Sequence, residues 1–233
     1  MLAAGVTWSP GLRPPLHVLC DHEHPFDEND VGDRPACFRL LVEAGANLDE
    51  LNVAGQTPLF IALKNRGRTT LLKMLIEAGA NVNIKYAGSA QRGERTLPNF
   101  YPIGSTALHK AAEWCSEEHV ALLLKAGAAV NVRDREGNTP FTHAIRNPWN
   151  RTLVRDHRVF PRVAPLLLRA GADIPPGYRG VSPYISRVVA AGGFKKYEQA
   201  HIARITKILA PTPRLPPEMV RKIVEFWLHA GYY

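Results

Sequence analysis

Residues 55–62 read Gly-Gln-Thr-Pro-Leu-Phe-Ile-Ala, and residues 75–81 read Leu-Ile-Glu-Ala-Gly-Ala-Asn. Together they open and close one unit, and related phrases recur along the chain. Three further copies occupy the following pairs of segments: 14–17 with 40–47, 104–112 with 122–128, and 137–141 with 166–173. Such self-similarity predicts a repeat architecture before any single motif is considered.

The spacing of the copies indicates two helices per unit. Thr139 follows Gly127 by 12 residues, and Gly127 follows Thr106 by 21 residues, so that one full unit is 33 residues long. The threonines can cap a helix N-terminus, and Pro140 suits the first helical position, where a missing N–H costs nothing. The glycines follow Leu-rich segments and suit a left-handed C-cap. Each unit is therefore predicted to be a turn and two antiparallel helices that bury their apolar faces by stacking.

The Thr-Pro-Leu-His-x-Ala pattern at this period resembles the ankyrin repeat. The resemblance implies an all-α solenoid of helix-turn-helix units with hairpin-like fingers, and a protein partner bound on the concave face. It also implies that His17 and His109 have a structural role, in which they make hydrogen bonds between neighbouring repeats. The predicted organisation is a tail at 1–10, an ankyrin domain at 11–210, and a proline linker with an amphipathic helix at 211–233. The ankyrin domain is expected to hold about five repeats, at roughly 14–48, 53–85, 102–134, 135–174 and 180–210. In the degenerate fifth repeat, we expect the closing helix over residues 201–209.

Three insertions interrupt the period. An acidic segment lies around 21–33, a finger insertion around 86–102, and a segment rich in arginine within 146–162. Aromatic and arginine side chains are enriched at binding hot spots. The predicted partner-binding residues are Tyr86, Arg92, Arg95, Phe100, Tyr101, Trp149, Arg151 and Arg155. The alternative to partner binding is, for the finger insertion, a mobile loop with scattered aromatic residues. For the arginine-rich segment, it is charge that faces solvent.

The charge is uneven along the chain. The net charge is +8, but residues 1–140 hold 14 basic and 16 acidic residues whereas residues 141–233 hold 15 and 5. The C-terminal part would therefore attract an acidic partner. A nucleic-acid-associated factor is a lesser alternative, since the sequence has no recognition helix, zinc-finger spacing or aromatic RNP pattern.

Composition places the protein among globular chains. Hydrophobic residues make up 45% of the chain, which excludes wholesale disorder. The sequence contains no run of 18 apolar residues, so it predicts no transmembrane helix. The three cysteines are odd in number and form no Cys-x-x-Cys motif, which indicates a reducing compartment. No basic residue precedes the short apolar stretch at the N-terminus, so a secretory signal is not expected. We therefore expect a cytoplasmic or nuclear location.

Motifs for catalysis or cofactors are not found. His17, Cys20, His22 and His24 could suggest a metal cluster, but His17 and Cys20 fall at structural positions of the first helix. Residues 88–93 have the glycine spacing of a phosphate loop without its lysine. With no Gly-x-Ser-x-Gly or His-Glu-x-x-His motif, we expect neither an enzyme nor a bound metal or cofactor.

The last predicted element is an amphipathic helix. Residues 216 and 217 are prolines that suit a helix start. Met219, Val220, Ile223, Phe226 and Trp227 then share one face, opposite Arg221, Lys222 and Glu225. Such an apolar face requires a cover, either the solenoid itself or another protein.

This segment resembles the first helix of an F-box, as also found in PRANC segments. A SOCS-box-like interpretation is also possible, although Met219 stands where that box usually has cysteine. Both resemblances imply docking onto the adaptor subunit of a cullin-RING ubiquitin ligase, through Leu215, Pro216, Met219, Ile223, Phe226 and Trp227. The alternative is a helix that only caps the solenoid of a scaffold or inhibitor.

Overall fold

In the computed structural model, helices follow one another in pairs along the chain. The structure describes residues 13–21, 34–64, 69–88, 102–114, 116–146, 160–178 and 183–209, together with 216, 218, 219, 222 and 223. The helices in these ranges are α1 Pro15–Cys20, α2 Arg34–Glu43, α3 Pro58–Ala62, α4 Thr70–Glu77, α5 Ala107–Glu113, α6 Glu117–Lys125, α7 Pro140–Arg146, α8 Phe160–Arg169, α9 Pro183–Ala190 and α10 Phe194–Leu209. A short 3-10 helix covers Pro176–Tyr178.

The helices stack in two layers. The first helices of successive pairs, called the inner helices, contact one another in the order α1, α3, α5 and α7. In the outer layer α2 contacts α4, α6 contacts α8, and α8 contacts α10. Each helix also packs against the other member of its pair, and the two helices of the last pair, α9 and α10, do the same. This arrangement confirms the predicted all-α solenoid.

The helix ends follow the residues that the sequence singles out. Helix α3 begins at Pro58, and the hydroxyl oxygen of Thr57 accepts a hydrogen bond from the Phe60 amide at 3.1 Å. At the ends of α4 and α6, Gly79 and Gly127 have φ values of 94° and 82°. A residue with a Cβ atom is strained in that left-handed backbone conformation, so glycine can end these helices without a steric cost.

A continuous apolar core runs between the layers. Its fully buried members come from both layers, and they include Leu59, Leu72, Leu75, Leu108, Leu123, Phe141, Leu167 and Ile185. The core also contains Cys20, as its position in the first helix predicts. No helix among the described residues is long and apolar enough to cross a membrane.

The closing helix of the fifth repeat is longer than predicted. Helix α10 begins at Phe194 rather than at His201, because Gly193 has a φ of 114° and ends the preceding turn, while Phe194 is buried and anchors the new helix. Ile202 and Ile205 are half-buried, but Ile208 is 66% exposed. The apolar face of α10 is thus only partly covered at its C-terminal end.

Asparagine side chains join neighbouring repeats. The Oδ1 atom of Asn83 accepts from the Ala129 amide at 2.7 Å, and its Nδ2 donates to the Gly127 carbonyl at 3.2 Å. Asn131 makes the equivalent two bonds, to the Asp173 amide and the Gly171 carbonyl. These bonds satisfy backbone groups at the end of the next outer helix and fix the offset between repeats.

Candidate functional site

Three hairpin-like segments, called the fingers, project beside the inner helices. They comprise residues 51–56, residues 84–88 with 102–105, and residues 133–138. Main-chain hydrogen bonds connect them, from the Ala87 amide to the Gly55 carbonyl at 3.2 Å and from the Arg135 amide to the Ile103 carbonyl at 2.8 Å. The three fingers therefore form one row held by backbone contacts.

Side chains stiffen the first and third fingers from within. The Oδ1 atom of Asn52 accepts hydrogen bonds from the amides two and four residues ahead, at 3.0 and 2.9 Å. Asp134 repeats the pattern in the third finger, with both bonds at 2.9 Å. Such Asx turns hold a hairpin in one conformation, so the fingers present a defined surface.

Apolar side chains are exposed on two adjacent fingers. Leu51 is 43%, Val53 is 67% and Ile103 is 39% exposed. The fingers meet closely here, because a Cβ atom on Gly55 would lie 2.3 Å from the Gly88 carbonyl oxygen, and one on Gly88 would lie 3.0 Å from Ile103 Cγ1. We call Leu51, Val53 and Ile103 the finger surface. The sequence reasoning missed it, although the apolar residues next to the turn-forming Asn52 were a visible signal.

Tyr86 does not contribute to that surface. It is only 4% exposed, and its ring stacks on Phe60 with 5.6 Å between centroids. Its amide donates to the Ser105 carbonyl at 2.7 Å, and its carbonyl accepts from the Gly104 amide at 2.8 Å. The prediction that Tyr86 contacts a partner is corrected: the residue packs the base of the second finger against the inner helices.

The other predicted contacts fall mainly outside the described residues. This holds for Arg92, Arg95, Phe100, Tyr101, Trp149, Arg151 and Arg155, and for Leu215, Phe226 and Trp227. Among the predicted adaptor-docking residues, Pro216 is exposed, Met219 is 47% exposed and Ile223 is half-buried. Met219 and Ile223 are helical, and the Met219 amide donates to the Pro216 carbonyl at 2.9 Å.

The two repeat histidines bond between repeats, as predicted. The Nε2 atoms of His17 and His109 lie 2.9 Å from the Gln56 carbonyl and 3.2 Å from the Asn138 carbonyl, each in the next finger along. The Nδ1 atom of His109 accepts from the Thr106 amide at 3.0 Å, which places the proton on Nε2. Burial, assisted by nearby His143, lowers the pKa of His109 to about 4 and keeps the ring neutral.

The position after the repeat histidine carries the most unusual side chain of the inner helices. Val18 and Ile61 occupy it in α1 and α3, but Lys110 occupies it in α5 with only 1% exposure. Its ammonium donates to the Phe60 carbonyl at 2.7 Å and lies 4.3 Å from the centre of the Phe60 ring. Burial, together with the Lys64 charge, lowers the pKa of Lys110 to about 7. A lysine at a register position that is apolar in α1 and α3 was the signal in the sequence.

In α7 the same position is occupied by His143, which links three elements. Its Nε2 lies 2.8 Å from the buried Asp134 carboxylate of the third finger, and its Nδ1 lies 3.8 Å from the Glu113 carboxylate at the end of α5. Burial favours the neutral ring, but the two carboxylates outweigh burial and raise the pKa of His143. His143 therefore ties α5, α7 and the third finger together.

A further ionic group lies at the start of the inner-helix row. Asp21 follows α1 and is 8% exposed; its carboxylate lies 2.8 Å from Arg13 Nη1 and 3.8 Å from Lys64 Nζ. We call Asp21, Lys64, Lys110, Glu113 and His143 the ionic row. Asp21 and Lys110 are almost completely buried, so this group links the inner helices to one another from within.

This arrangement is built for packing and binding. Burial raises the pKa of the Cys20 thiol to about 12, so that it is not a nucleophile at neutral pH. The part of the chain that the structure describes contains no group of three His, Cys, Asp or Glu side chains able to hold a metal ion. The predicted metal candidates His22 and His24 lie outside it.

Comparisons with known proteins agree with this geometry. Two family models match, one described as "Ankyrin repeats (3 copies)" over residues 12–86 and one as "Ankyrin repeats (many copies)" over residues 108–148. The chain is similar to human Ankyrin repeat and SOCS box protein 16, with 36% identity over 163 residues, covering 70% of this chain and 30% of that protein. It is also similar to human B-cell lymphoma 3 protein, at 35% identity over 114 residues, or 48% and 22% of the two chains. With mouse Rabankyrin-5 it shares 40% identity over 93 residues, or 40% and 8%. The chain thus spans less than a third of the length of each relative.

Proposed function

Because this chain is built of ankyrin repeats, which indicate binding of other proteins, we propose that it is a recognition subunit with two contacts. It binds a protein partner on the finger surface, and it docks onto the adaptor of a cullin-RING ubiquitin ligase through its C-terminal helix. The observation that carries the proposal is the row of exposed apolar side chains on fingers that backbone hydrogen bonds hold in place.

The finger surface has the composition of an interface centre. Covering each of its three aliphatic side chains would contribute up to about 1.5 to 3 kcal/mol. The fingers are already ordered by Asn52, Asp134 and the main-chain ladder, so that little conformational entropy is lost on binding. The partner that fits is a protein segment with an apolar stretch.

The insertions belong to the same proposal. Arg92, Arg95, Phe100 and Tyr101 belong to the segment that joins Gly88 to Pro102, both of which lie at the second finger. We propose that these residues, with Trp149, Arg151 and Arg155, extend the partner contact beyond the finger surface. Their arginine and aromatic character suits hot spots.

The adaptor contact is supported by three observations. The C-terminal segment resembles the first helix of an F-box or SOCS box, and Met219 and Ile223 are helical there. Met219 is 47% exposed, so that part of the apolar face is accessible. One relative carries a SOCS box in its name, Ankyrin repeat and SOCS box protein 16. The competing function is a scaffold or inhibitor whose last helix only caps the repeats, with the cytosol or nucleus as the setting in either case.

Two double variants should separate the two contacts. In quantitative affinity capture from cell extract, the Met219→Asp, Ile223→Asp double variant should capture at least tenfold less of the ligase adaptor subunits. The amounts of the other captured proteins should not change. The Val53→Asp, Ile103→Asp double variant should lose the other captured proteins and keep the adaptor subunits, because a buried unpaired carboxylate at an interface centre is strongly unfavourable.

A matched control is Leu40→Asp, since Leu40 is 65% exposed on α2, away from the fingers. It should change neither set of proteins. The thermal midpoint of every variant is measured alongside. If the Met219 and Ile223 variant lowers the midpoint by many degrees and the unaltered chain captures no adaptor, the helix is a cap and the ligase proposal is wrong.

A further inference from the structure

The last helical pair carries a compact group of cationic and aromatic side chains, separate from the fingers. On α10 the rings of Tyr197 and His201 stack with 5.9 Å between centroids and an interplanar angle of 19°. Tyr184 of α9 meets Tyr197 edge to face at 5.7 Å. We call Arg187, Tyr197, His201 and Arg204 the end patch.

Two guanidinium groups flank this stack. Arg204 Nη2 lies 3.5 Å from His201 Nδ1, and Arg187 on α9 donates from Nε to the Pro183 carbonyl at 3.2 Å. Both arginine side chains are exposed. The charges of both lie near enough to His201 to lower its pKa together with burial, the largest cause. Arg187 lies three residues after Tyr184, and Arg204 lies three residues after His201, so both guanidinium groups belong to the helix faces that carry these contacting rings.

Negative charge is scarce in the sequence of the last helical pair. Residues 183–209 contain five lysine or arginine residues and one acidic residue, Glu198. Glu198 is already engaged, because its Oε1 lies 2.6 Å from Arg169 Nη2 on α8. Within the described part of the chain, no carboxylate pairs with Arg187 or Arg204. An anion that contacts both guanidinium groups would offset the repulsion between their charges.

We propose that the end patch binds an acidic segment of a protein, with carboxylates paired to Arg187 and Arg204. The planar guanidinium group matches a carboxylate through two parallel hydrogen bonds. Two arginines held on different helices therefore recognise two acidic side chains of one peptide. This contact is independent of the finger surface and of the C-terminal helix, so it stands or falls separately from the function proposed above.

A nucleic acid is the less suitable occupant. Single strands bind through aromatic faces on which bases stack, in addition to phosphate contacts. Here the rings of Tyr197 and His201 cover each other, Tyr184 abuts Tyr197, and both Tyr197 and His201 are half-buried. The arginines rather than the rings are therefore the accessible part of the patch.

The test measures binding of a fluorescein-labelled hexaglutamate peptide by anisotropy, with the full-length chain. A hexaglutamine peptide and an oligothymidylate serve as comparison probes. Salt is kept at about 150 mM, where the Debye length is about 8 Å and distant charges contribute little. We expect saturable binding of hexaglutamate, none of hexaglutamine, and at least fivefold weaker hexaglutamate binding by an Arg187→Ala, Arg204→Ala double variant.

The control is Lys195→Ala with Lys196→Ala, which removes the same charge from the exposed first turn of α10. These lysines lie about 12 Å along the helix axis from Arg204, at 1.5 Å per residue. Their variant should bind hexaglutamate within twofold of the unaltered chain. Absence of hexaglutamate binding, equal weakening by both double variants, or tighter binding of oligothymidylate would each overturn the proposal.

Discussion

A Gly55→Ala variant should lose about 3 kcal/mol or more of unfolding free energy, although it adds only one methyl group. Gly55 has a φ of 71°, which costs an alanine about 1 to 2 kcal/mol. In addition, its Cβ would lie 2.3 Å from the carbonyl oxygen and 2.9 Å from the amide nitrogen of Gly88. Both are backbone atoms and cannot rotate away, so the first two fingers would have to separate. Urea denaturation followed by circular dichroism measures the loss.

Gly45→Ala is the matched control for that variant. Gly45 has a similar φ of 79°, but nothing lies within 4 Å of the position of its Cβ. It should lose only the conformational term, about 1 to 2 kcal/mol. Equal losses in the two variants would show that the first and second fingers do not touch as described.

A Lys110→Met variant should change how stability depends on pH. In the folded protein the pKa of Lys110 is about 7, against an ordinary value of 10.5. Between these two values the unfolded chain binds more protons, so stability of the unaltered protein rises with pH. The penalty for the buried charge is absent above about pH 10.5, grows as pH falls, and levels off below about pH 7. Its full size is on the order of 3 to 5 kcal/mol.

The methionine variant lacks this penalty but also loses the bond to the Phe60 carbonyl, worth about 1 to 3 kcal/mol. Its stability relative to the unaltered chain should therefore be greatest near pH 7 and should decline by several kcal/mol towards pH 10. Lys125→Met, at an exposed position, should show a flat difference. A flat difference for Lys110→Met as well would mean that its ammonium is solvated in the folded state.

The parts of the fold that the sequence predicts are those determined by local chemistry. Thr57 caps α3 and Gly127 ends α6 because backbone preference and one short hydrogen bond decide the outcome. The bonds of His17 and His109 follow from the same repeat register. The caps depend only on residues nearby in sequence, whereas the histidine bonds join neighbouring repeats and are predictable because the repeat places the same partners at the same offset.

The candidate site was less predictable, because it depends on contacts between repeats. Tyr86 is aromatic and adjoins an insertion, which is typical of a binding residue, yet Phe60 from the preceding repeat covers its ring. Lys110 is charged, but the stack of α3 on α5 buries it against the Phe60 carbonyl. Leu51, Val53 and Ile103 are apolar, but their place on the fingers leaves them in solvent. Side-chain chemistry alone predicts the opposite burial in each case.

Two surfaces of different chemistry emerge from these contacts. The finger surface is apolar and held by main-chain bonds, whereas the end patch is cationic and built from two helices of the last repeat. A solenoid can carry both without conflict, since each repeat contacts only its neighbours. Substitutions on one surface are therefore expected to leave the other intact.

Site-specific photo-crosslinking in cells tests the central claim, that the finger surface holds a protein partner. A photoreactive phenylalanine analogue is placed in separate chains at Val53, at Ile103 and, as the control, at Leu40, which at 65% exposure matches Val53 at 67%. If the finger surface holds a partner, the same covalent protein adduct forms from positions 53 and 103 and does not form from position 40. Adducts from position 40 alone, or equally from all three positions, would contradict it.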